Sequence, residues 1–423
     1  MKWIILTIYR IVYFFVKLLL FILKPFLNAK MKSWLRLRSL ALPKIEAHGQ
    51  PVFLFHAASG EIEYVKSIIR QLKEAEAQVF IVVSYTSPSA ERLFENIRQH
   101  VDLFLPLPWD QPRAVRKFLS VLKPHSLFIA RTDLWPELLK EAAFRKIKIY
   151  VISYNPSLSF VNKLFIRFFL EKATALFCVH PLQVTEIKKL VSKNVQLSAP
   201  GDTRFDQVFW RLQQPSRFKL SADVQFGVLG STWKDDENYI LPLFPQIIKM
   251  GYKLVWCPHE VDRNNIERIE KLLSAQDFKF VKLSTVSKLQ DFQFLDYDIL
   301  VVDQVGFLAD LYRAASWAFV GGSFRHKVHS VMEPLCCAIP ILVGPYIDNS
   351  PEALKYSHVN MNGLQVVQVV KSSVDFSQAV EKIKNAQSQD FKRLLIGHLE
   401  QHRNATRKIL HFIVSKTQES LNS

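Results

Sequence analysis

Two stretches of the chain carry residue types that could do chemistry. The first, His56-Ala-Ala-Ser59-Gly60-Glu61, reads as a strand end, a tight turn and an acidic residue opening a helix. A carboxylate at a helix N-terminus faces the positive end of the dipole and is stabilised as the anion. With a sugar hydroxyl within about 3 Å, Glu61 could act as a general base; its other reading is a helix-dipole carboxylate with no chemistry. Glu63 points about half a turn away and is the weaker candidate. The second stretch runs Ala318-Phe-Val-Gly321-Gly322-Ser323-Phe324, then His329, Glu333-Pro334 and Pro340 to Pro345. It predicts a buried strand, a glycine turn, a polar loop, a short helix and another buried strand. Small residues let backbone N–H groups approach an anion at the mouth of a sheet. A helix beginning near Ser330 would set His329 and Glu333 together at its first turn. A carboxylate there could accept both hydroxyls of a ribose while neighbouring amides face a phosphate, which suits a nucleotide-activated donor. The alternative is a crossover whose glycines serve tight turns, with His329 capping a helix.

The elements that must hold these residues follow from the hydrophobic rhythm. From residue 51, short apolar runs alternate with amphipathic segments, the pattern of parallel α/β architecture. Strands are predicted over 52–55, 79–83, 127–130, 147–152 and 176–179, then 226–229, 253–257, 278–282, 299–302, 317–320 and 341–343. Helices are predicted over 61–74, 235–249, 261–274 and 374–386. A polar linker at Gln213-Gln-Pro-Ser216 divides the chain. The expected organisation is a basic hydrophobic anchor over 1–44 and a first Rossmann-like domain over 45–212. A second such domain spans 217–388, and a final amphipathic helix and tail spans 389–423. Two doubly wound domains facing a cleft bind ligands at the C-terminal ends of their strands. His56, Ser59, Gly60 and Glu61 follow the first strand of one half; Gly230, Ser231 and Thr232 follow that of the other, and Gly321, Gly322 and Ser323 follow a later one.

Composition narrows the class. At 423 residues, with 49% hydrophobic residues and 32 Phe, the chain is folded and too long for one ordinary core. The net charge is +17, and nine of the Lys and Arg residues fall within 1–44, which holds no Asp or Glu. A basic leader points to anionic lipid headgroups, and no aromatic–basic ladder or zinc finger supports nucleic-acid binding. Cys178, Cys257, Cys336 and Cys337 form no C-x-x-C pair, so neither structural zinc nor a disulfide framework is indicated, and a reducing cytoplasm fits. Asp296-Tyr-Asp298 spells a metal-binding D-x-D, but it precedes an apolar strand and reads as a solvated turn.

Residues 3–23 are long enough to span a bilayer. Arg10, Lys17 and Lys24 nevertheless recur every seven residues and form one stripe. Each cation would cost roughly 2.5–3.5 kcal/mol in a spanning segment, so a monotopic helix in the interface is favoured over a single span. The basic run Lys30, Lys32, Arg36, Arg38 and Lys44 favours the cytoplasmic side. No small-residue cleavage site follows, as a signal peptide would require.

In order along the chain stand His56…Ser59-Gly60-Glu61, Asp133-Leu-Trp135-Pro136, Gly201-Asp-Thr-Arg204-Phe-Asp206 and Gly230-Ser231-Thr232. Pro258…Arg263, Asp303…Gly306, Val320-Gly-Gly-Ser323, His329, Glu333-Pro334 and Pro340…Gly344-Pro345 follow. Together these resemble the Kdo (3-deoxy-D-manno-octulosonic acid) transferases of lipopolysaccharide synthesis, over nearly the whole chain. The resemblance implies a GT-B glycosyltransferase, monotopic on the cytoplasmic face of the inner membrane, with CMP-Kdo as donor and a lipid A precursor as acceptor. It implies Glu61 as the base for inverting attack on the anomeric carbon. Donor contacts fall on Arg204, Gly230, Ser231, Thr232, Arg263, Gly321, Gly322, Ser323, His329 and Glu333, and acceptor contacts on Ser59, Gly60, Arg131 and Asp133. Neither cofactor nor metal is expected, since helix N-termini and one cation could neutralise the single phosphate of CMP.

The departures bear on substrate. The family's Glu-Thr-Glu-Leu-Trp-Pro is here Arg131-Thr-Asp133-Leu-Trp-Pro136, and its Asn-Ala-Arg-Leu-Ser is Asn155-Pro-Ser157-Leu-Ser159. Arg131 then either covers for the missing Arg and binds lipid phosphates or pairs with Asp133. Thr-His becomes Thr232-Trp233, Pro-Arg-His-Pro-Glu-Arg becomes Pro258-His-Glu-Val-Asp-Arg263, and Arg204 replaces a Lys. Two alternatives stand beside the leading one: the same fold acting on another nucleotide sugar or lipid acceptor, and a catalytically silent membrane-bound homologue.

Overall fold

The computed structural model describes all residues except 1, 41, 44, 46, 76–77, 218–223, 287–293, 295, 387 and 422–423. Lys44 and the Lys30 side chain, both in the basic run, lie outside the described residues. The chain forms two compact units, residues 1–207 with 402–423, and residues 208–401. The boundary falls inside the helix Thr203–Gln213, upstream of the linker expected at Gln213–Ser216. In place of the one final amphipathic helix expected after residue 388 there are two, Ser388–Leu399 and Ala405–Leu421, and the second belongs to the first unit.

The first unit is built on strands β1 (Val52–His56), β2 (Phe80–Tyr85), β3 (Leu103–Pro106), β4 (Ser126–Ala130), β5 (Lys148–Tyr154), β6 (Ala175–Cys178) and β7 (Gln196–Ser198). They form one sheet ordered β3-β2-β1-β4-β5-β6-β7, and every neighbouring pair is parallel. Strand alternation sends Leu54, Val82, Leu127 and Ile129 into one apolar layer and Phe53, Phe55, Val83 and Phe128 into the other, so both faces are covered. Ile409 and Ile413 of the last helix fill the second layer. Asp206 holds that helix by accepting the backbone N–H groups of Asn404 (2.8 Å) and Thr406 (2.6 Å) at its N-terminus.

The N-terminal helix α1 (Lys2–Ile22) carries the segment Trp3–Ile22, which is long and apolar enough to cross a membrane. Its polar stripe is docked on the first unit. Tyr9 donates to Asp110 Oδ2 at 2.8 Å, Arg10 forks onto both oxygens of the buried Glu137, and Lys17 donates to Gln111 at 2.9 Å. Leu6 is buried on the same side, while Trp3, Ile8, Phe15, Phe21 and Ile22 face outward. A short turn (Lys24–Phe26) leads to α2 (Ala29–Leu37), whose N-terminus is capped by Asn28 accepting the Met31 N–H at 2.9 Å.

The second unit repeats the architecture. Its strands are β8 (Phe226–Thr232), β9 (Lys253–Pro258), β10 (Phe280–Lys282), β11 (Ile299–Val301), β12 (Trp317–Val320) and β13 (Ile341–Val343), then a hairpin of β14 (Asn360–Met361) and β15 (Leu364–Gln365), and β16 (Val367–Val369). The main sheet runs β10-β11-β9-β8-β12-β13-β16, again parallel throughout. In each unit the strand order reverses beside the first strand, between β1 and β4 and between β8 and β12, which makes the switch point where such sheets bind ligands.

Candidate active site

Glu61 lies in a 3₁₀ turn, Gly60–Tyr64, that follows β1; the regular helix expected from residue 61 starts only at Lys66, as α3 (Lys66–Ala75). Its carboxylate accepts the Ser59 N–H at 3.1 Å and remains partly exposed. The Ser59 hydroxyl lies 2.9 Å from that of Ser89. Glu63 is committed elsewhere, 2.5 Å from the Nζ of the fully buried Lys66. In a 3₁₀ turn, residues three apart eclipse, so Glu61 shares a face with Tyr64. The Tyr64 hydroxyl accepts from Arg131 at 2.6 Å and from Arg204 at 2.9 Å, and both guanidinium groups lie about 5 Å over its ring, at 4.9 and 5.1 Å. Burial pushes the Tyr64 phenol up, against the pull of the Arg204 and Arg131 charges. Two cations gathered on one phenol, just past the first strand of the first unit, make a place where an anionic group is favoured.

Arg131 therefore turns to Tyr64 and not to Asp133. Asp133 Oδ2 sits 2.7 Å from His56 Nε2, while His56 Nδ1 lies 2.9 Å from the Ser84 hydroxyl. The Trp135 indole N–H also approaches His56 Nε2, at 3.1 Å. The indole N–H donates to Nε2, so the imidazole proton sits on Nδ1 toward the Ser84 hydroxyl, and Asp133 Oδ2 lies against the ring without a hydrogen bond. Burial raises the Asp133 carboxyl, but His56, the Trp135 N–H and Arg38 outweigh it and the net direction is down. Asp133 sits in the loop after β4. Arg204, expected at the donor, belongs to the first unit and joins Arg131.

In the second unit the glycine turn is not an open anion cradle. Asp236 fills it, accepting the N–H groups of Gly322 (2.7 Å), Phe324 (3.0 Å) and Trp233 (2.8 Å). Burial pushes the Asp236 carboxyl up while these amides hold it down. Gly321 donates to Gly230 O, and a Cβ on Gly321 would stand 2.3 Å from Ser231 O, so its small size serves close packing of two chain segments. Gly322 adopts φ +80°, which favours glycine. The Ser323 hydroxyl is buried, donating to Val320 O and accepting the Gly344 N–H. Thr232 is buried as well: its hydroxyl donates to Glu237 at 3.2 Å and accepts from Trp256 at 2.9 Å. Ser231 sits at φ +55°, partly exposed beside them.

At the same strand ends three rings stack. His259 lies 4.4 Å from both Trp233 and His329, the Arg325 guanidinium covers Trp233 at 4.5 Å, and the Trp233 indole donates to His329 Nε2 at 2.9 Å. Burial, then His259 and Lys327, pull the His329 imidazole down to about 4. The short helix starts at Met332, with Glu333 in its first turn and His329 outside it, and Glu333 is paired with Arg211. Arg263 is exposed and pairs with Glu267 at 2.7 Å on its own helix. Asp298 pairs with Lys253 at 2.7 Å ahead of β11, and the four cysteines are free and buried.

Residues 34–207 match the family described as 3-deoxy-D-manno-octulosonic-acid transferase (kdotransferase). The 3-deoxy-D-manno-octulosonic acid transferase of Aquifex aeolicus is 30% identical over 297 residues, covering 69% of this chain and 75% of that one. The chain belongs to the Kdo transferase family. It is a glycosyltransferase. The Chlamydia pneumoniae 3-deoxy-D-manno-octulosonic acid transferase is 26% identical and spans 87% of each chain. In fold, the chain is similar to the UDP-GlcNAc 2-epimerase of Neisseria meningitidis solved with UDP-GlcNAc, with a TM-score of 0.60 at 13% identity over 86% of this chain and all of that one. The Acinetobacter baumannii MurG structure is likewise similar, at a TM-score of 0.50 and 10% identity over 86% of this chain and 99% of that one. These likenesses show two Rossmann-like domains of the GT-B kind.

Sequence reasoning missed Tyr64, Asp236 and Arg211. The first two had a signal: Tyr64 stands three residues after Glu61, and Asp236 three residues after Trp233, where a helix-opening carboxylate reaches back to amides.

Proposed function

We propose that this enzyme transfers Kdo from CMP-Kdo to a lipid A precursor in lipopolysaccharide biosynthesis, with Glu61 as general base. The observation that carries the reading is the partly exposed carboxylate of Glu61 at the first unit's switch point, three residues before the Tyr64 that gathers Arg131 and Arg204. Glu61 takes the proton of the acceptor hydroxyl as its oxygen bonds to the anomeric carbon. The bond from that carbon to the CMP phosphate oxygen breaks, and its electron pair leaves with CMP. Arg131 and Arg204 neutralise phosphate or carboxylate groups that the substrates bring, without a metal. In the second unit, Ser231, Glu333 and the Trp233–His259–His329 stack receive the nucleotide.

The docked polar stripe of α1 supports a monotopic placement on the cytoplasmic face of the inner membrane, since spanning would strip Arg10 from Glu137. The test is transfer from CMP-Kdo to a tetra-acylated lipid A precursor by wild type and Glu61→Gln. Wild-type turnover with a loss of about 10²–10⁴-fold in kcat for the variant is expected. Turnover by the variant at the wild-type rate would remove Glu61 as base. A folded wild type that turns over only another nucleotide sugar would redirect the substrate to the second reading, which the ring stack, built partly from Trp233 and His259, favours.

A further inference from the structure

Between α1, the turn after it and α2 lies a cavity of about 730 Å³ that the site above does not use. Four cations line it, Lys17, Lys24, Lys32 and Arg36, and no carboxylate is among its described lining residues. Phe21 and Trp109 form part of its apolar wall. Two of the cations are positioned: Lys17 donates to Gln111 and lies 5.3 Å over the Trp109 ring, and Lys32 donates to Pro25 O at 3.0 Å. Each ammonium has three N–H donors, so both keep donors beyond these bonds. Four like charges around one hollow repel each other, and an anion in it relieves that cost. The rim continues into the exposed apolar face of α1 at Phe14, Leu18 and Ile22. A free anion would satisfy the cations alone, whereas an anion carrying acyl chains satisfies both surfaces.

We propose that this cavity binds the phosphate headgroup of an anionic membrane amphiphile, with its chains laid along α1. The inference rests on the reading that α1 lies in a bilayer surface. The phosphate can come from a bilayer phospholipid or from the glycolipid acceptor. Trp109 stacks edge-on against Trp34, Arg38 lies 5.7 Å over the Trp109 ring and 5.1 Å over the Trp135 ring, and Trp135 reaches His56. The cavity wall is thus tied to the loop that carries Arg131 and Asp133.

The experiment uses the full chain, wild type, Lys32→Gln/Arg36→Gln, and a control of equal charge loss on another exposed surface, Lys188→Gln/Lys193→Gln. Flotation with phosphatidylcholine vesicles containing phosphatidylglycerol comes first; wild type that stays in solution overturns the bilayer reading itself. Native mass spectrometry then counts bound phosphatidylglycerol or tetra-acylated lipid A precursor. The expected result is one tightly retained anionic lipid on wild type and control, weakened about tenfold or more in the cavity variant, with unchanged Tm. Retention of phosphatidylglycerol assigns a phospholipid source; retention of the precursor alone, with a raised acceptor KM in the cavity variant, assigns the acceptor. Wild type that floats but retains no stoichiometric lipid, or equal weakening in variant and control, overturns the cavity as a site.

Discussion

The turn after β1 and the turn after β12 look alike in sequence and are wired in opposite ways. Each follows a buried parallel strand at a switch point, each contains glycine and serine, and each has a carboxylate nearby. In the first, Glu61 takes a single backbone N–H and stays partly exposed, and Tyr64, three residues on, gathers Arg131 and Arg204. In the second, Asp236 is fully buried and takes three backbone N–H groups, leaving those amides nothing to offer a phosphate. A glycine-rich strand end is therefore a site only where its amides are left open; where a side chain of the same domain fills them, the glycines are architecture. In the second unit the groups left for chemistry are the side chains around the filled turn: the three-ring stack, Arg325, and Glu333 with Arg211.

The sharpest way to break this contrast is to empty the second turn. Asp236→Ala leaves three amides without their acceptor in a buried place, and we expect a loss of about 3–5 kcal/mol of stability, read as a fall in the denaturant midpoint. If the turn were a phosphate cradle blocked by Asp236, the variant would instead keep its stability and bind inorganic phosphate or CMP more tightly than wild type. The complementary test acts on the first turn. Arg131→Ala should leave folding nearly intact but lower kcat/KM for an anionic acceptor by about 10–100-fold, equivalent to about 1.4–2.7 kcal/mol. Arg263→Ala, on an exposed cation held by Glu267, should change kcat/KM by less than about twofold. Equal effects from Arg131 and Arg263 would remove the special status given to the Tyr64 cluster.

The central strands were legible because fully buried parallel strands read as unbroken apolar runs. The edges were not. β3 ends in Pro106, β7 is a three-residue segment with both ends exposed, and β16 is as short, so none gives the periodic signal a longer element would. The same holds within the site. Glu61 was legible because an acidic residue just past a strand end is a local feature, whereas its helix was not: the Gly60 turn winds as 3₁₀ before α3. The filling of the glycine turn was illegible, since Asp236 and Gly322 are 86 positions apart and meet only through the β8–β12 pairing. The Asp133–His56 pair was hidden for the same reason, spanning β1 and β4.

A pH effect tests how far Trp233 shields His329 within the ring stack. Trp233 donates to His329 Nε2, so that nitrogen must keep its lone pair, and burial and His259 hold the imidazole neutral down to about 4. The ordinary histidine value is about 6.5, so between those values the unfolded chain binds a proton that the folded one refuses. The stabilisation is fully present above about 6.5 and is lost as the pH falls to about 4, and with partial exposure discounted it amounts to about 2 kcal/mol. His259, also pulled down by burial, acts in the same direction. Asp236 and Glu237, both pushed up by burial, act in the opposite one, since their contribution is lost as pH rises. Chemical denaturation across pH 4–7 of wild type and His329→Gln cancels those shared terms, because Gln can still accept from Trp233 but does not titrate. A steeper fall of stability toward acid in wild type is the expected result. Parallel curves would mean that His329 titrates as in water, and that Trp233 does not shield its ring from solvent.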